Sequence, residues 1–302
     1  MESAKEHDFI ILGGSYAGLA AALSLGRALR TVLIIDSGQR CNRRTPHAHN
    51  LLTHDGESPA VIAAAAKEQV LKYDTVSFLE ETAVSGKKTK TGFSIEVSDG
   101  RFFNARKIII ATGLKDLMPE IPGFAESWGI SVLHCPYCHG YEVHGKKTGI
   151  IGNGEAGYEY AKMISNWTND LVLFTNGKST LTEVQVQSLE KHNITIEEGP
   201  ISELVNTEGY VNKIVLNNGN TYPVSAIYCH PPFEQHSSIP EELGCEMTEF
   251  GHIKTDDFSK TTVPGVYAGG DNSNRVRSLS TAIASGSFAG AFANRELIAE
   301  TF

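Results

Sequence analysis

The stretch that decides the fold is FIILGGSYAGLAAALSLGRA, residues 9–28, together with VLIID, residues 32–36. Phe9–Leu12 predicts a short buried strand, and GGSYAG, residues 13–18, predicts a tight turn into an alanine- and leucine-rich helix. Val32–Ile35 predicts a second strand, which ends at Asp36. This order of strand, glycine turn, helix, strand and acid is the βαβ layout of a dinucleotide site.

A glycine-rich turn suits a dinucleotide because a pyrophosphate can then approach main-chain amides at a helix N-terminus, where the helix dipole favours negative charge. Asp36 is placed to accept hydrogen bonds from a ribose. The turn is not a clean G-x-G-x-x-G motif, since Ser15 stands where the second glycine belongs. Taken alone, it leaves dinucleotide binding and an ordinary strand-to-helix turn equally open.

The same pattern recurs in the middle of the chain. Thr148–Ile151 predicts a strand, GNGEAG at residues 152–157 is an intact glycine motif, Tyr158–Asn166 predicts a helix, and Leu171–Phe174 predicts the next strand. Two matches in one chain, each between a strand and a helix, are difficult to reach by chance. We therefore expect two nucleotide-binding units in tandem.

Each unit also contains a predicted β-hairpin. One turns at Asp99-Gly100 and the other near Asn218-Gly219. The hairpins run into apolar strands, Lys107–Ile110 and Ala226–Cys229. This shared order shows that the repeat is structural.

The C-terminal segment does not fit the second copy. VPGVYAGGD, residues 263–271, predicts a strand ending in glycines and an acid, and Ser280–Ile298 predicts a helix. We expect this segment to return to the first unit. The predicted fold class is α/β, with two Rossmann-like domains of the three-layer ββα type and the second inserted into the first. The expected boundaries are residues 1–117 with 245–302, and residues 118–244.

Composition excludes several classes of function. A formal net charge of −9 over 302 residues argues against a nucleic-acid groove or an anionic membrane surface as partner. The N-terminus has no secretory apolar region, so we expect a cytoplasmic protein. In that reducing compartment five cysteines do not predict a disulfide framework. Cys41, Cys229 and Cys245 are interpreted as ordinary thiols, and the close pair at Cys135 and Cys138 stands out.

The cysteine pair lies in HCPYCHGYE, residues 134–142, and admits three interpretations: a c-type haem attachment site, a zinc site or a redox disulfide. Haem attachment belongs to exported proteins, and zinc would require a second, distant ligand pair. The redox disulfide is the coherent interpretation. Pro136 suits the first position of a helical turn, which would place the Cys135 sulfur where amide dipoles stabilise a thiolate.

The motifs GGSYAG, ATG at 111–113, C-x-x-C, GNGEAG and VPGVYAGGD occur in the order found in one known family. Over essentially its whole length the chain resembles the thioredoxin reductase class of flavoprotein disulfide oxidoreductases. The resemblance implies FAD as cofactor, with NADPH or NADH as a further candidate. The residues implied for FAD are Gly13, Ser15, Tyr16, Ala17, Gly18, Asp36, Asn50, Ala111, Thr112, Gly113, Gly270, Asp271 and Ser278. Those implied for the nicotinamide nucleotide are Gly152, Gly154 and Gly157.

The resemblance also implies roles for the cysteines. Cys138 would lie beside the flavin, and Cys135 would exchange with the substrate. His139 stands where relatives carry an aspartate, so we assign it the acid–base role as a hypothesis, on the basis of an unperturbed pKa near 6.5. His47, His49 and His54 lie where the family wraps FAD. For each of these three, a surface histidine and a cofactor or substrate role both remain open.

The chain departs from the family at three points. The strand after GNGEAG continues into TNGKST, which lacks the arginines of NADPH-using members and offers only Lys178 nearby. Glu155 places a carboxylate beside the expected pyrophosphate. Ser278 follows Arg277 where the family has glutamine. These departures resemble a divergent branch that includes the dithiol oxidases of disulfide-containing natural products.

The favoured function is therefore an FAD-dependent thiol–disulfide oxidoreductase. It would pass electrons from NAD(P)H through FAD and the Cys135/Cys138 disulfide to a thioredoxin-like protein. One alternative is a dithiol oxidase that closes a small-molecule dithiol with oxygen as acceptor. Another is a non-enzymatic flavin redox sensor. The resemblance implies a homodimer, and the sequence predicts no metal, nucleic-acid or membrane partner.

Overall fold

The computed structural model describes residues 6–302, which divide into two compact units. The first unit comprises the described residues up to Arg43 together with Leu51–Lys115 and Phe233–Phe302. The second comprises Arg44–Asn50 and Asp116–Pro232.

The strands and helices are numbered in chain order. The strands are β1 (His7–Leu12), β2 (Val32–Asp36), β3 (Val76–Glu80), β4 (Ala83–Lys88), β5 (Phe93–Val97), β6 (Phe102–Ile110), β7 (Leu114–Asp116), β8 (Val132–Leu133), β9 (Thr148–Ile151), β10 (Leu171–Phe174), β11 (Thr195–Glu197), β12 (Ile201–Thr207), β13 (Tyr210–Leu216), β14 (Thr221–Pro223), β15 (Ala226–Cys229), β16 (Phe233–Gln235) and β17 (Val266–Ala268). The helices are α1 (Tyr16–Arg27), α2 (Pro59–Val70), α3 (Phe124–Ser127), α4 (Pro136–His139), α5 (Gly154–Ile164), α6 (Glu183–Lys191), α7 (Ile239–Glu242) and α8 (Leu279–Thr301).

The first unit is built around β6, which lies inside one mixed sheet of seven strands. Its second half pairs in parallel with β1 and with β17, and the parallel sheet continues from β1 to β2 and β3. Its first half pairs antiparallel with β5, which in turn pairs with β4. A strand of nine residues is long enough to join the parallel sheet to the hairpin, which forms the third layer.

Helices α1 and α8 pack closely against each other in the first unit. A Cβ atom at Gly286 would lie 2.1 Å from the Ala17 carbonyl oxygen, and one at Gly290 would lie 2.6 Å from that of Ala21. Glycine is therefore required at both contacts. Because β17 pairs with β6 and α8 packs on α1, the C-terminal segment belongs to the first unit.

The second unit repeats the three layers. Its parallel sheet has the order β11-β10-β9-β15-β8, and β12-β13-β14 form an antiparallel sheet. One core cluster combines residues of both sheets, such as Phe174, Ile214 and Ile227. A second cluster combines the parallel sheet with α5, through residues such as Ile150 and Ala161. The structure thus confirms the predicted fold class of two Rossmann-like α/β units.

The unit boundaries differ from the expected ones by two residues at 116–117, which lie in the second unit, and more substantially at two other places. Residues 233–244 lie in the first unit, because Ile239 of α7 is buried in its core and the Gly86 amide donates to Glu242 Oε2 at 3.0 Å. Residues 44–50 group with the second unit, where Arg44 donates to the Ala125 carbonyl oxygen. Both associations join segments that are distant in sequence.

Both predicted hairpin turns are present. Gly100 has a φ of +85° and Gly219 a φ of +87°, which explains why glycine occupies these turn positions. None of the helices within residues 6–302 is long and apolar enough to cross a membrane.

Candidate active site

The first glycine turn is closed so tightly that side chains are excluded from it. Gly13 has a φ of +100°, and a Cβ atom there would lie 2.3 Å from the Ala111 carbonyl oxygen. A Cβ atom at Gly18 would lie 1.8 Å from the Gly13 carbonyl oxygen. Ser15 occupies the N-cap position of α1 without a side-chain capping hydrogen bond. The turn therefore presents main-chain atoms, as a pyrophosphate site requires.

Asp36 holds this turn in place. One carboxylate oxygen accepts a hydrogen bond from the Gly14 amide at 2.6 Å, and the other accepts one from the Gly38 amide at 2.8 Å. Each carboxylate oxygen can accept two hydrogen bonds, so capacity for a ribose hydroxyl remains. The sequence suggested the ribose role and did not suggest this structural one.

Tyr16 and Ala17 are buried, and Tyr16 makes contacts within the protein. Its hydroxyl donates to the Pro59 carbonyl oxygen at 3.1 Å and accepts from Asn42 Nδ2 at 3.3 Å. Burial raises the pKa of the phenol. These contacts tie α1 to the start of α2 and to Asn42.

The ATG and GGD motifs converge on the same end of the sheet. The Ala111 amide donates to the Leu12 carbonyl oxygen at 2.7 Å, and the Gly269 amide donates to that of Ile110 at 3.0 Å. Asn272, which is fully buried, donates to the same Ile110 oxygen at 2.9 Å. The motifs therefore meet at the carboxyl ends of parallel strands, where α/β sheets bind their ligands.

The buried polar side-chain atoms of the first unit that have no hydrogen-bond partner in the described protein include Thr112 Oγ1, Arg40 Nε and Asn42 Oδ1. Buried polar atoms are nearly always paired, so atoms of this kind suit a polar ligand. Thr112 belongs to the predicted ATG motif. Arg40 and Asn42 were not predicted, although they lie in the loop after Asp36, which is the signal that could have found them. The residues of this unit fit FAD.

Three other residues implied for FAD, Gly270, Asp271 and Ser278, have polar contacts within the protein. Gly270 has a φ of +91°, and its amide donates to Ser285 Oγ at 2.9 Å. Asp271 lies 3.6 Å from Arg277 Nε. Ser278 caps α8 by accepting from the Thr281 amide at 3.0 Å, which gives its hydroxyl a structural role. Gly113 has a φ of +68°.

The second glycine turn is held by hydrogen bonds between the Asn153 side chain and neighbouring main-chain groups. The carbonyl oxygen of the Asn153 side chain accepts from the amides of Gly154 and Thr180, at 2.8 and 2.9 Å, and its amide nitrogen donates to the Lys178 carbonyl oxygen at 2.9 Å. Gly152 and Gly157 are in close contact, as the motif requires. The amide of Gly154, which starts α5, is therefore satisfied without a ligand.

Glu155 lies in the first turn of α5, and its carboxylate accepts from Gln185 Nε2 at 2.6 Å. Gln185 belongs to the capping box of α6 and is buried, so the position of Glu155 is well supported. A carboxylate here opposes the attraction between the helix N-terminus and an anion. This turn is less favourable for a nucleotide than its glycines alone suggest.

Cys135 and Cys138 form a disulfide with their Cα atoms 5.3 Å apart. Pro136 begins the short helix α4, and Cys135 occupies its N-cap, as the sequence predicted. Gly140 follows directly and leaves room for Trp167, since a Cβ atom there would lie 2.6 Å from Trp167 Nε1. The two cysteines therefore lie in a compact helical turn that packs against Trp167.

His139 is half-buried beside the disulfide. Burial lowers its pKa to about 4; the neighbouring His49 also lowers it, and Glu142 partly opposes this. The structure thus differs from the unperturbed pKa assumed from the sequence. At neutral pH the imidazole is uncharged, so it can accept a proton and is poorly suited to donate one.

The three histidines of the segment after Asp36 lie in different units: His47 and His49 in the second, and His54 in the first. His49 belongs to the second unit, where its Nε2 lies 3.4 Å from Glu142 Oε1 and its ring lies edge-on to that of His139 at 6.4 Å. His47 lies 6.5 Å from His49, between ring centroids. Asn50 also belongs to this unit, whereas His54 is an exposed residue of the first unit.

A second group of rings lies at the carboxyl ends of β8 and β15. His134 and His230 are 6.2 Å apart between ring centroids, and Tyr160 of α5 lies 4.6 Å from His230. The Tyr160 hydroxyl donates to the His134 carbonyl oxygen at 2.6 Å. His230 was not predicted, and its position just after a buried strand is the signal that could have found it. Within residues 6–302, no group of three or more His, Cys, Asp or Glu residues is arranged to hold a metal ion.

Residues 7–286 match the family described as pyridine nucleotide-disulphide oxidoreductase. This chain belongs to that family. It is therefore an oxidoreductase of the thioredoxin reductase-like type. Members of this family generally use FAD and NAD(P)H.

Individual relatives agree with the family assignment. Thioredoxin reductase aclD of Aspergillus oryzae is 33% identical, over 93% of this chain and 93% of its own length. Thioredoxin reductase tcpT of Claviceps purpurea is 31% identical, over 97% of this chain and 95% of its own length. A solved structure of an oxidoreductase from Agrobacterium tumefaciens is 35% identical, with a TM-score of 0.91, and the match covers 97% of this chain and 99% of that one.

Proposed function

We propose that this family member is an FAD-dependent thiol–disulfide oxidoreductase whose Cys135–Cys138 disulfide exchanges electrons with a thiol or disulfide substrate. The observation that carries the proposal is the disulfide between Cys135, at the N-cap of α4, and Cys138, with His139 directly after it. FAD, when bound by the glycine turn, Asp36 and Thr112, supplies a two-electron acceptor or donor for the pair.

In the first candidate direction the protein is a reductase. A nicotinamide nucleotide bound at Gly152, Gly154 and Gly157 would be the electron source, and a thioredoxin-like disulfide would be the substrate. The family and the names of its relatives support this direction. Reduction of the Cys135–Cys138 disulfide then needs a proton donor for the emerging thiolate, which an uncharged His139 does not provide.

In the second candidate direction the protein oxidises a small-molecule dithiol, with oxygen as the final acceptor. Two observations favour it. The neutral His139 is ready to accept a proton from an attacking thiol. The second glycine turn is closed by Asn153 and carries the Glu155 carboxylate, which weakens the site that the nicotinamide donor of the reductase would need.

In this direction, residues of the chain account for the protons, bonds and electrons of dithiol oxidation. A substrate thiol gives its proton to His139, and its sulfur forms a bond to Cys135 Sγ as the bond to Cys138 breaks. Cys138 leaves as a thiolate. The second substrate thiol then gives its proton to the Cys138 thiolate and attacks the substrate sulfur of the mixed disulfide, which releases Cys135 as a thiolate. The substrate is oxidised to a disulfide, and the cysteine pair receives two electrons.

An anaerobic titration of the FAD-loaded protein separates the two directions. NADPH, NADH and dithiothreitol are added in separate runs while the flavin absorbance is followed. We expect dithiothreitol to bleach the flavin and air to restore it, with little bleaching by either nucleotide. Rapid bleaching by NADPH would instead establish the reductase direction.

Variants identify the cysteines responsible. Cys135→Ser and Cys138→Ser should each abolish bleaching by the dithiol, because neither protein can form the intramolecular disulfide. Cys41→Ser is the matched control, since Cys41 is an exposed cysteine outside the disulfide and remote in sequence from the pair. Bleaching that persists without the pair would show direct reaction with the flavin and contradict the proposal. Sedimentation of the same samples tests the homodimer that the family resemblance implies.

A further inference from the structure

The acid–base apparatus beside the cysteine pair includes a segment from far earlier in the chain. Residues 44–50 group with the second unit, and the Arg44 side chain anchors them by donating to the Ala125 carbonyl oxygen. Ala48 within this segment is buried. The segment therefore has a defined place, and it carries His49 to the turn that holds the disulfide.

His49 and Glu142 form an ion pair or hydrogen bond at the edge of His139. His49 Nε2 lies 3.4 Å from Glu142 Oε1, and the His49 ring stands at 89° to the His139 ring with 6.4 Å between centroids. The His49 side chain is 21% exposed and that of Glu142 is 39% exposed. His139 thus has a partly buried imidazole and a solvent-accessible carboxylate as neighbours.

The charges around His139 come from several elements. Glu142 follows α4, His49 comes from the 44–50 segment, and His47 lies on the far side of His49, at 6.5 Å between centroids. Lys146 donates to the main-chain oxygen of Glu142 at 2.9 Å. Tyr228 of β15 is buried, and Glu142 contributes to the raised pKa of its phenol, so it is uncharged at neutral pH.

We propose that His49 and Glu142 are positioning residues that together control when His139 holds a proton, so that three residues, and not His139 alone, manage the protons of thiol–disulfide exchange. This inference rests on the proposed exchange at Cys135 and Cys138. The Glu142 carboxylate attracts a proton to His139. Protonation of His49 compensates that carboxylate and repels the proton again.

The arrangement has a consequence for exchange. After a thiol gives its proton to His139, the half-buried imidazolium is unfavourable unless a nearby charge offsets it. Glu142 supplies that charge, and its exposure gives the proton a route to water. His49 in its neutral form holds the Glu142 carboxylate in place, and a protonated His49 would cancel the attraction between that carboxylate and a proton on His139.

Histidine titrations test the inference directly. The FAD-loaded, oxidised protein is labelled at histidine for NMR, and the pKa of His139 is measured in Glu142→Gln and His49→Gln. We expect the His139 pKa to fall by about 0.5 to 1 unit in Glu142→Gln and to rise by a similar amount in His49→Gln. His144→Gln is the control, because His144 is an exposed histidine of the same loop that faces Tyr141.

The same variants are then compared for the rate of flavin bleaching by dithiothreitol between pH 3.5 and 7, a range that includes the His139 pKa of about 4. The acid limb of the profile should move in the direction of the measured His139 pKa. Equal shifts in both variants, no shift in either, or an equal effect of His144→Gln would overturn the inference. If dithiothreitol does not bleach the flavin of the wild-type protein, the proposed function fails, and the NMR titration still decides whether the pair controls His139.

Discussion

The Thr112 hydroxyl shows how a single residue connects the fold to a cofactor. It is buried without a hydrogen-bond partner, next to the glycine turn. A buried hydroxyl without a partner destabilises the protein, so its position favours a role toward a bound group. Its sequence signal was the ATG motif, which by itself is too short to be specific.

Replacing Thr112 with valine keeps the shape and removes the hydroxyl. We expect FAD to bind about 5- to 30-fold more weakly, because about 1–2 kcal/mol of hydrogen bonding is lost. The unfolding free energy of the FAD-free protein should be unchanged or higher. Fluorescence titration with FAD and urea unfolding measure the two quantities. An unchanged FAD affinity would show that the hydroxyl does not face the cofactor.

His139 is a residue whose chemistry depends on burial. Its folded-state pKa of about 4 lies below the ordinary value of 6.5, so between these values the unfolded chain binds more protons. The stability that the neutral ring contributes is present above pH 6.5 and is lost as the pH falls toward 4.

This linkage predicts a pH-dependent effect of His139→Asn. Between pH 7 and pH 5 the wild-type protein should lose about 2 kcal/mol more unfolding free energy than the variant. Urea unfolding of both proteins at the two pH values gives this difference, and other titrating groups cancel in the comparison. Parallel losses would indicate that His139 titrates normally in the folded protein.

At the scale of elements, β6 and α8 are joined by a charged group inside the first unit. Lys107 is 2% exposed, and its ammonium lies 2.7 Å from carboxylate oxygens of both Glu296 and Glu300. Lys260 and Tyr267 also contact Glu296. Burial by itself raises the pKa of Glu296, but the hydrogen bonds from its partners lower it to about 2.

Glu296→Gln should therefore reduce the unfolding free energy by about 3 kcal/mol at pH 7, because it leaves the buried ammonium of Lys107 with less compensation. The stabilisation by Glu296 is complete above the ordinary pKa of 4.5 and is lost as the pH falls toward 2. The penalty should accordingly be smaller at pH 3. The control is Glu159→Gln, which removes an exposed ion pair with Lys162 and should leave stability close to that of the wild type. A penalty independent of pH would contradict the assignment.

At the scale of the whole molecule, each of the two units carries its own cores. Every hydrophobic cluster found among residues 6–302 draws its members from one unit. The FAD site proposed above belongs to the first unit, whereas both tryptophans of the chain, Trp128 and Trp167, belong to the second. Tryptophan fluorescence therefore reports on the unit that does not hold the flavin turn.

We expect FAD to stabilise one unit selectively. Ligand at 100 times its dissociation constant adds about 2.7 kcal/mol to the unit that binds it. In thermal unfolding of the protein with and without FAD, the transition seen by far-UV circular dichroism that belongs to the first unit should move to higher temperature. The transition seen by tryptophan fluorescence should move less. Equal shifts would mean that the two units unfold as one.

The sequence by itself determined the local architecture: two strand–glycine turn–helix repeats, two hairpins with glycine turns, and a cysteine pair at the start of a helical turn. These features follow from periodicity and from the backbone freedom of glycine and proline, which act over a few residues. Only the tertiary structure decided the chemistry of the sites. Burial and contacts between residues distant in the chain produce four features of the sites: the hydrogen bond from Thr180 to Asn153, the His49–Glu142 pair, the buried Thr112 hydroxyl and the neutral His139. Such environments set proton affinity and ligand fit, and they arise only when those segments are packed together.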